Sequence, residues 1–165
     1  MIRKKTIKLT QTLLIWATLL CSLLFPSKSS ANILGYNISV YGGPGFELNE
    51  GGNKVVTYGI TSAYHFNPFW ELGIDLAMRG NTALLGVDYN YFFNNNFFIG
   101  AEMGLDFAKT TTYYLGPQVG FDPLITPQLS IGAELQYLYT INDRGGILEA
   151  LINFKYFFGA GENRH

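Results

Sequence analysis

The sequence predicts an all-β protein: a closed, eight-stranded antiparallel β-barrel of up-and-down meander topology that spans a membrane. Three observations predict it: side chains alternate between apolar and polar or small along successive segments, aromatic residues gather at segment ends, and glycines keep to one parity. A membrane barrel meets lipid outside and encloses a polar interior, so alternate residues of each strand must suit opposite environments.

The elements follow in chain order. Arg3, Lys4, Lys5 and Lys8 precede an apolar or small run from Leu13 to Phe25, and Ser29, Ser30 and Ala31 supply small residues where a signal peptidase cleaves. Residues 1–31 are therefore expected to be a cleaved secretory signal, with the barrel in 32–158 and a short periplasmic tail in 159–165. The apolar run is too short for a comfortable membrane helix. Cys21 follows Leu20, where lipoprotein processing needs a small residue, so it reads as an apolar filler of the signal. No cysteine remains after it, and stability owes nothing to disulfides. Five of the eleven Lys and Arg precede residue 32 while all twelve Asp and Glu follow it, an acidic balance that excludes nucleic acid as a natural partner.

Eight strands are expected at about 34–42, 55–66, 69–79, 83–93, 97–108, 112–121, 128–141 and 147–158. Each approaches the nine to eleven residues a tilted strand needs to cross a bilayer. In the third, Trp70, Leu72, Ile74, Leu76 and Met78 oppose Glu71, Gly73, Asp75, Ala77 and Arg79. In the fourth, Leu85, Val87, Tyr89, Tyr91 and Phe93 oppose Leu84, Gly86, Asp88, Asn90 and Phe92. The connections at 67–68, 94–96 and 122–127 carry Asn, Asp and Pro and are expected to be periplasmic turns. The outward connections are 43–54, 80–82, 109–111 and 142–146, of which only 43–54 is long enough to be a loop.

Aromatic placement says which face meets lipid. On the apolar parity, Tyr36, Tyr64, Phe66, Trp70, Tyr91, Phe93, Phe97, Phe121, Tyr156 and Phe158 fall at one end of the strands, while Phe107, Tyr113 and Tyr139 fall at the other. Amphipathic rings prefer the headgroup region, so two belts with aliphatic residues between them match a bilayer. Gly59, Gly73, Gly86, Gly100, Gly104, Gly116, Gly120 and Gly132 share the inner parity, where a narrow barrel needs small residues. Closure follows, because an unpaired backbone group in hydrocarbon costs several kcal/mol.

With signal, strand count, belts and terminal strand in place, the chain resembles the small outer-membrane β-barrels of Gram-negative bacteria, the group that includes the OmpA membrane domain and OmpX. The resemblance covers 34–158. It implies residence in outer-membrane lipid and recognition by the outer-membrane assembly machinery through 147–158, where Ile152, Phe154, Tyr156 and Phe158 share one face. It speaks to architecture more than to function; no metal-ligand spacing, P-loop or nucleotide fingerprint appears in the sequence, so no cofactor is expected.

The candidate polar interior is Glu71, Asp75, Arg79, Asp88, Glu102, Asp106, Glu134, Glu149 and Lys155, joined by His65. Asp75, Asp88, Glu102 and Glu134 are expected near mid-height. Seven carboxylates against two obligate cations cannot all be dry and ionised, so the interior is either a hydrated hydrogen-bond network or a cation-binding, weakly conducting one. Three further classes compete with this reading. Lipid A deacylases and palmitoyl transferases have similar architecture, but they depend on a His with Ser and an acid near the outer rim, whereas His65 is expected at the periplasmic end. Adhesion would run through 43–54, with Pro44, Phe46, Glu47 and Glu50. A soluble lipocalin-like barrel would need the two faces reversed. The reading adopted is a structural or envelope-integrity barrel without an open pore, and not an enzyme.

Overall fold

A computed structural model describes residues 35–48, 52–93, 96–141 and 145–158. The expected signal 1–31, the tail 159–165, Glu50, and parts of the connections at 94–96 and 142–146 lie outside the described residues.

The strands are β1 (Gly35–Glu47), β2 (Lys54–Asn67), β3 (Trp70–Arg79), β4 (Thr82–Phe92), β5 (Phe97–Phe107), β6 (Thr111–Phe121), β7 (Leu124–Thr126), β8 (Leu129–Thr140) and β9 (Gly145–Phe157). Each of β1 to β6 pairs antiparallel with the next, β6 pairs with β8, β8 with β9, and β9 returns to β1. The result is a closed eight-stranded barrel, with β7 an accessory strand. Closure is carried by pairs such as Ile38↔Tyr156 and Val40↔Phe154. The start of β1 and the end of β9 meet there, where Phe158 N–H donates to the Tyr36 carbonyl at 2.8 Å. This is the terminal end of the barrel, and the opposite one is the far end.

Two expected connections are shorter than the sequence suggested. The 122–127 turn contains β7, which folds back on β8 through Leu124↔Ser130. Half of the 43–54 loop is strand, since β1 continues through Gly45↔Val55 and Phe46↔Lys54 on one side and Gly45↔Glu149 on the other. β1 ends at Glu47 and β2 begins at Lys54. Gly42, Gly43, Pro44 and Gly45 read as turn chemistry, yet the alternation runs on, with Gly45 buried and Phe46 exposed.

Proline explains the local irregularity. It has no N–H to give a ladder, so the β1–β9 pairing lapses between Gly42↔Ile152 and Gly45↔Glu149, around Pro44. The same thing happens at Gly116-Pro117: β5 pairing holds at Ala101↔Pro117, while β6–β8 pairing lapses between Leu115↔Tyr139 and Gln118↔Gln136. The β8–β9 hairpin is therefore flanked on both sides by a Gly-Pro gap.

Other turns follow local chemistry. Gly80 adopts φ +57°, which glycine enters without steric cost, and closes the tight β3–β4 turn. At the β2–β3 turn the Asn67 side-chain oxygen accepts from the Phe69 and Trp70 N–H groups at 2.8 and 3.1 Å.

The outer wall is apolar. Val56, Ile60, Leu72, Ile74, Leu76, Ile99, Met103, Leu115, Val119, Leu135 and Ile152 all point outward and are exposed, while polar side chains fill the inside. A soluble, ligand-binding barrel needs the reverse, so that alternative is excluded.

Candidate functional site: the closed polar lumen

Four layers fill the lumen. At the terminal end, β3 supplies Glu71, β9 Lys155, β2 His65 and the residue after β6 Asp122. Lys155 Nζ lies 3.2 Å from both Glu71 carboxylate oxygens and 3.0 Å from Asp122 Oδ2. Glu71 also accepts from Asn37 Nδ2 at 2.7 Å and Asn90 Nδ2 at 3.3 Å, and lies 2.7 Å from His65 Nε2. Aromatic rings close round this cluster: His65 packs on Phe92 and Phe157, Phe92 on Phe98, and the Lys155 ammonium sits over Phe92 and Phe157.

At the far end Arg79 grips Glu149, with Nε and Nη2 at 2.7 and 3.3 Å from its two oxygens. Thr57 Oγ1 and Gln136 Nε2 donate to the same carboxylate. Asp106 stands 3.9 Å from Arg79 Nη1 and is partly exposed at the rim, beside a mouth cavity of about 210 Å³ that Glu47 also lines. Beneath this pair an apolar layer of Ala77, Leu84, Tyr114 and Leu138 crosses the barrel, with Tyr41 packed against it.

Between the two ends lie Asp75, Asp88, Glu102 and Glu134, lining one cavity of about 50 Å³, in agreement with the expected mid-height grouping. Tyr41 and Thr61 hydroxyls donate to Asp75 at 2.7 and 2.9 Å, Tyr114 donates to Glu102 at 2.6 Å, and Asn90 Nδ2 donates to Asp88 at 2.9 Å. The inward glycines give the large side chains room. A methyl at Gly86 or Gly104 would meet the Tyr114 hydroxyl, and one at Gly120 would overlap the Phe98 ring.

Every charged residue expected inside is inside, and Glu71, Asp75, Arg79, Asp88, Glu102, Glu149 and Lys155 are buried. Glu134 and Asp106 are only partly buried, one facing the cavity and the other the rim. Sequence reasoning missed Asp122, read as a turn residue, although it continues the inner parity of Thr112, Tyr114, Gly116, Gln118 and Gly120. It also passed over the neutral amides Asn37, Gln118, Gln136 and Asn153, all buried and inward. A search for charge alone overlooks them.

The expected belt residues lie on the outer face, and their rings touch. Tyr36 meets Tyr64 at 4.7 Å, Phe97 meets Phe121 at 4.5 Å, Tyr91 meets Phe93 at 5.3 Å, and Tyr156 meets Phe158 at 5.2 Å. Trp70 packs between Tyr89 and Tyr91 at 4.8 and 4.6 Å, and Tyr89 extends the cluster to Phe66. Tyr89 was not assigned to the belt from sequence. At the far end Phe107, Tyr113 and Tyr139 are exposed as expected.

A closed antiparallel barrel with an apolar outer wall, aromatic belts and a polar, filled interior is the architecture of a membrane-spanning β-barrel. Solved structures share it. The chain is similar to Neisserial surface protein A at 17% identity and a TM-score of 0.67, over 75% of this chain and 97% of that one. It is also similar to Ail, the attachment invasion locus protein of Yersinia pestis, solved with the heparin analogue sucrose octasulfate, at 13% identity and a TM-score of 0.54, over 76% and 99%. No protein-family model and no curated protein sequence matches the chain.

Proposed function

We propose that the protein is an integral protein of the bacterial outer membrane with a structural, envelope-integrity role and no open pore. Residues 1–31 act as its export signal, 32–158 form the barrel, and 159–165 are a short periplasmic tail. The terminal end then faces the periplasm and the far end the outside. One observation carries the reading: the lumen is blocked in series by the Lys155–Glu71–Asp122 cluster with its aromatic collar, by the Tyr114 and Leu138 layer, and by the Arg79–Glu149 pair. A hydrated ion has no continuous path past three such layers without their rearrangement. The likeness in fold to Neisserial surface protein A supports the placement.

Catalysis has no support in the interior. His65 is held by Glu71 and packed against Phe92 and Phe157 at the terminal end, away from the rim where outer-leaflet lipid would be attacked. Surface binding is the second reading, favoured by the likeness to Ail, but β1 and β2 take up half of 43–54, the one connection long enough to be a loop. Assembly is proposed to use 147–158 as the recognised terminal strand.

The test is the gel mobility of boiled against unboiled protein from a urea-washed outer-membrane fraction, with bilayer recordings of the pure refolded barrel. A barrel that stays in the membrane, runs faster unboiled and gives no discrete channels supports the proposal. A protein that washes off without a mobility shift overturns the membrane placement, and discrete channels overturn the closed lumen.

A further inference from the structure

One sector of the outer wall differs from the rest. Among the described residues, Lys54 is the one charged side chain on the outward parity of any strand, since the other charges within strands lie on the inward parity. It stands at the far end of β2, exposed and opposite Phe46 of β1, and it has no hydrogen bond or ion pair among the described residues. The expected far-end rings Phe107, Tyr113 and Tyr139 belong to β5, β6 and β8, whereas β2 carries a cation at this rim.

A second feature lies deeper on the same wall. An open apolar groove of about 600 Å³ crosses β1 to β4, bordered by the outward Val40, Tyr58, Ile60, Leu76, Met78 and Ala83. Its volume falls within the roughly 300 to 1,000 Å³ of ligand clefts. The residues form two neighbouring rows of the ladder, Val40↔Ile60↔Leu76 and Tyr58↔Met78↔Ala83, and Ala83 closes the second row with only a methyl. From Lys54 to Tyr58 the strand rises about 13 Å, four residues at roughly 3.3 Å each, and strand tilt makes the difference in depth smaller. An ammonium at headgroup level therefore stands above an apolar slot at acyl-chain level.

We propose that this sector binds an anionic, phosphate-bearing lipid of the leaflet at the far end, with its phosphate on Lys54 and one acyl chain in the groove. Charge complementarity selects the headgroup, because Lys54 brings an uncompensated positive charge to a wall that is otherwise uncharged. The chain comes from the hydrocarbon that surrounds the wall, and in the groove it gains van der Waals contacts that a smooth wall does not offer. A lysine that only reached for water would need no groove beneath it. The inference rests on the membrane placement proposed above and adds a specific lipid site to it.

The barrel is refolded into dodecyl maltoside micelles containing dilauroylphosphatidic acid, and native mass spectrometry counts the lipids kept by the protein, with unboiled gel mobility verifying folding. The expected result is a single phosphatidic acid per barrel, its retention weakened about fivefold by Lys54→Gln and by Ala83→Phe, which fills the groove. Both positions are exposed on the outer face, so neither change disturbs the lumen. Ala133→Phe, outward on β8 at the opposite wall, leaves retention unchanged. Dilauroylglycerol, which has the chains without the phosphate, is held more weakly and is indifferent to Lys54→Gln. Folded wild-type barrel that keeps no lipid overturns the proposal, and so does a lipid-free dimer, which would make a second copy the occupant. Retention unchanged by either Lys54→Gln or Ala83→Phe also overturns it, by removing the phosphate contact or the groove from the site. Displacement of the lipid by inorganic phosphate overturns it too, because the headgroup alone then suffices. A chain without heat-modifiable mobility overturns the membrane placement and this site with it, whereas a folded barrel without lipid overturns the site alone.

Discussion

The two ends of the lumen solve the same problem differently. At the far end one guanidinium meets one carboxylate in a two-point grip, and Thr57 and Gln136 complete the coordination of Glu149, which is fully buried. At the terminal end one ammonium is shared between Glu71 and Asp122, and His65, Asn37 and Asn90 share the load on Glu71. Arginine's planar fork suits the first arrangement, and lysine's compact charge suits the second. The far-end lock is thus concentrated in one pair, and the terminal-end lock is distributed.

This contrast predicts unequal sensitivity. Removing one partner of a buried ion pair costs about 3 to 5 kcal/mol. Glu149→Gln should reach that range, because Arg79 then keeps only the more distant Asp106. Urea titration of the vesicle-embedded barrel, followed by Trp70 fluorescence, measures it. Arg79→Met combined with Glu149→Leu should recover much of the loss, since replacing a buried pair by apolar groups is often near neutral. A double variant as unstable as the single one would show that Glu149 acts mainly through Thr57 and Gln136.

Lys155→Met should cost less, about 3 kcal/mol, the lower end of that range, because Glu71 keeps its other three partners. The same titration checks it. A loss larger than that of Glu149→Gln would reverse the comparison and make the terminal end the principal lock.

Packing comes next in size. Gly120→Ala forces a methyl against the Phe98 ring of the terminal-end collar, and overpacking of this kind costs about 1 to 3 kcal/mol. Adding Phe98→Leu should return part of it. Non-additivity between the two changes is the measured quantity, and strictly additive effects would mean that Phe98 already moves freely.

Much of the barrel was legible because its two solvents enforce a period of two. The run from Glu71 to Arg79 shows inside and outside residue by residue, and Tyr36, Phe97 and Phe158 mark a rim because a ring at that depth has both apolar and polar surroundings. Where the signal was local chemistry, the reading failed. Gly43-Pro44 looks like a turn in isolation, but its neighbours β2 and β9 keep it extended. Asp122 looked like a turn former, although parity placed it inside. Pairing within the lumen was not legible at all, because Arg79 and Glu149 are 70 residues apart and meet only when the barrel closes.

The smallest expected effect lies on the outer wall, where a contact competes with lipid instead of with a buried charge. Tyr91 packs on Trp70 and Phe93 and stacks more loosely on Phe69 at 6.2 Å. An aromatic pair adds about 0.5 to 1.5 kcal/mol beyond its area, but lipid replaces some of the lost contact when the ring is removed. Tyr91→Leu should therefore cost about 0.5 to 1 kcal/mol, well below either lumen lock, while Trp70 stays in place as the fluorescent reporter. If Tyr91→Leu instead costs as much as Lys155→Met, the belt contributes to the closure of the barrel as strongly as its charged interior, and the difference between the two ends of the lumen becomes secondary to the anchoring of the rim.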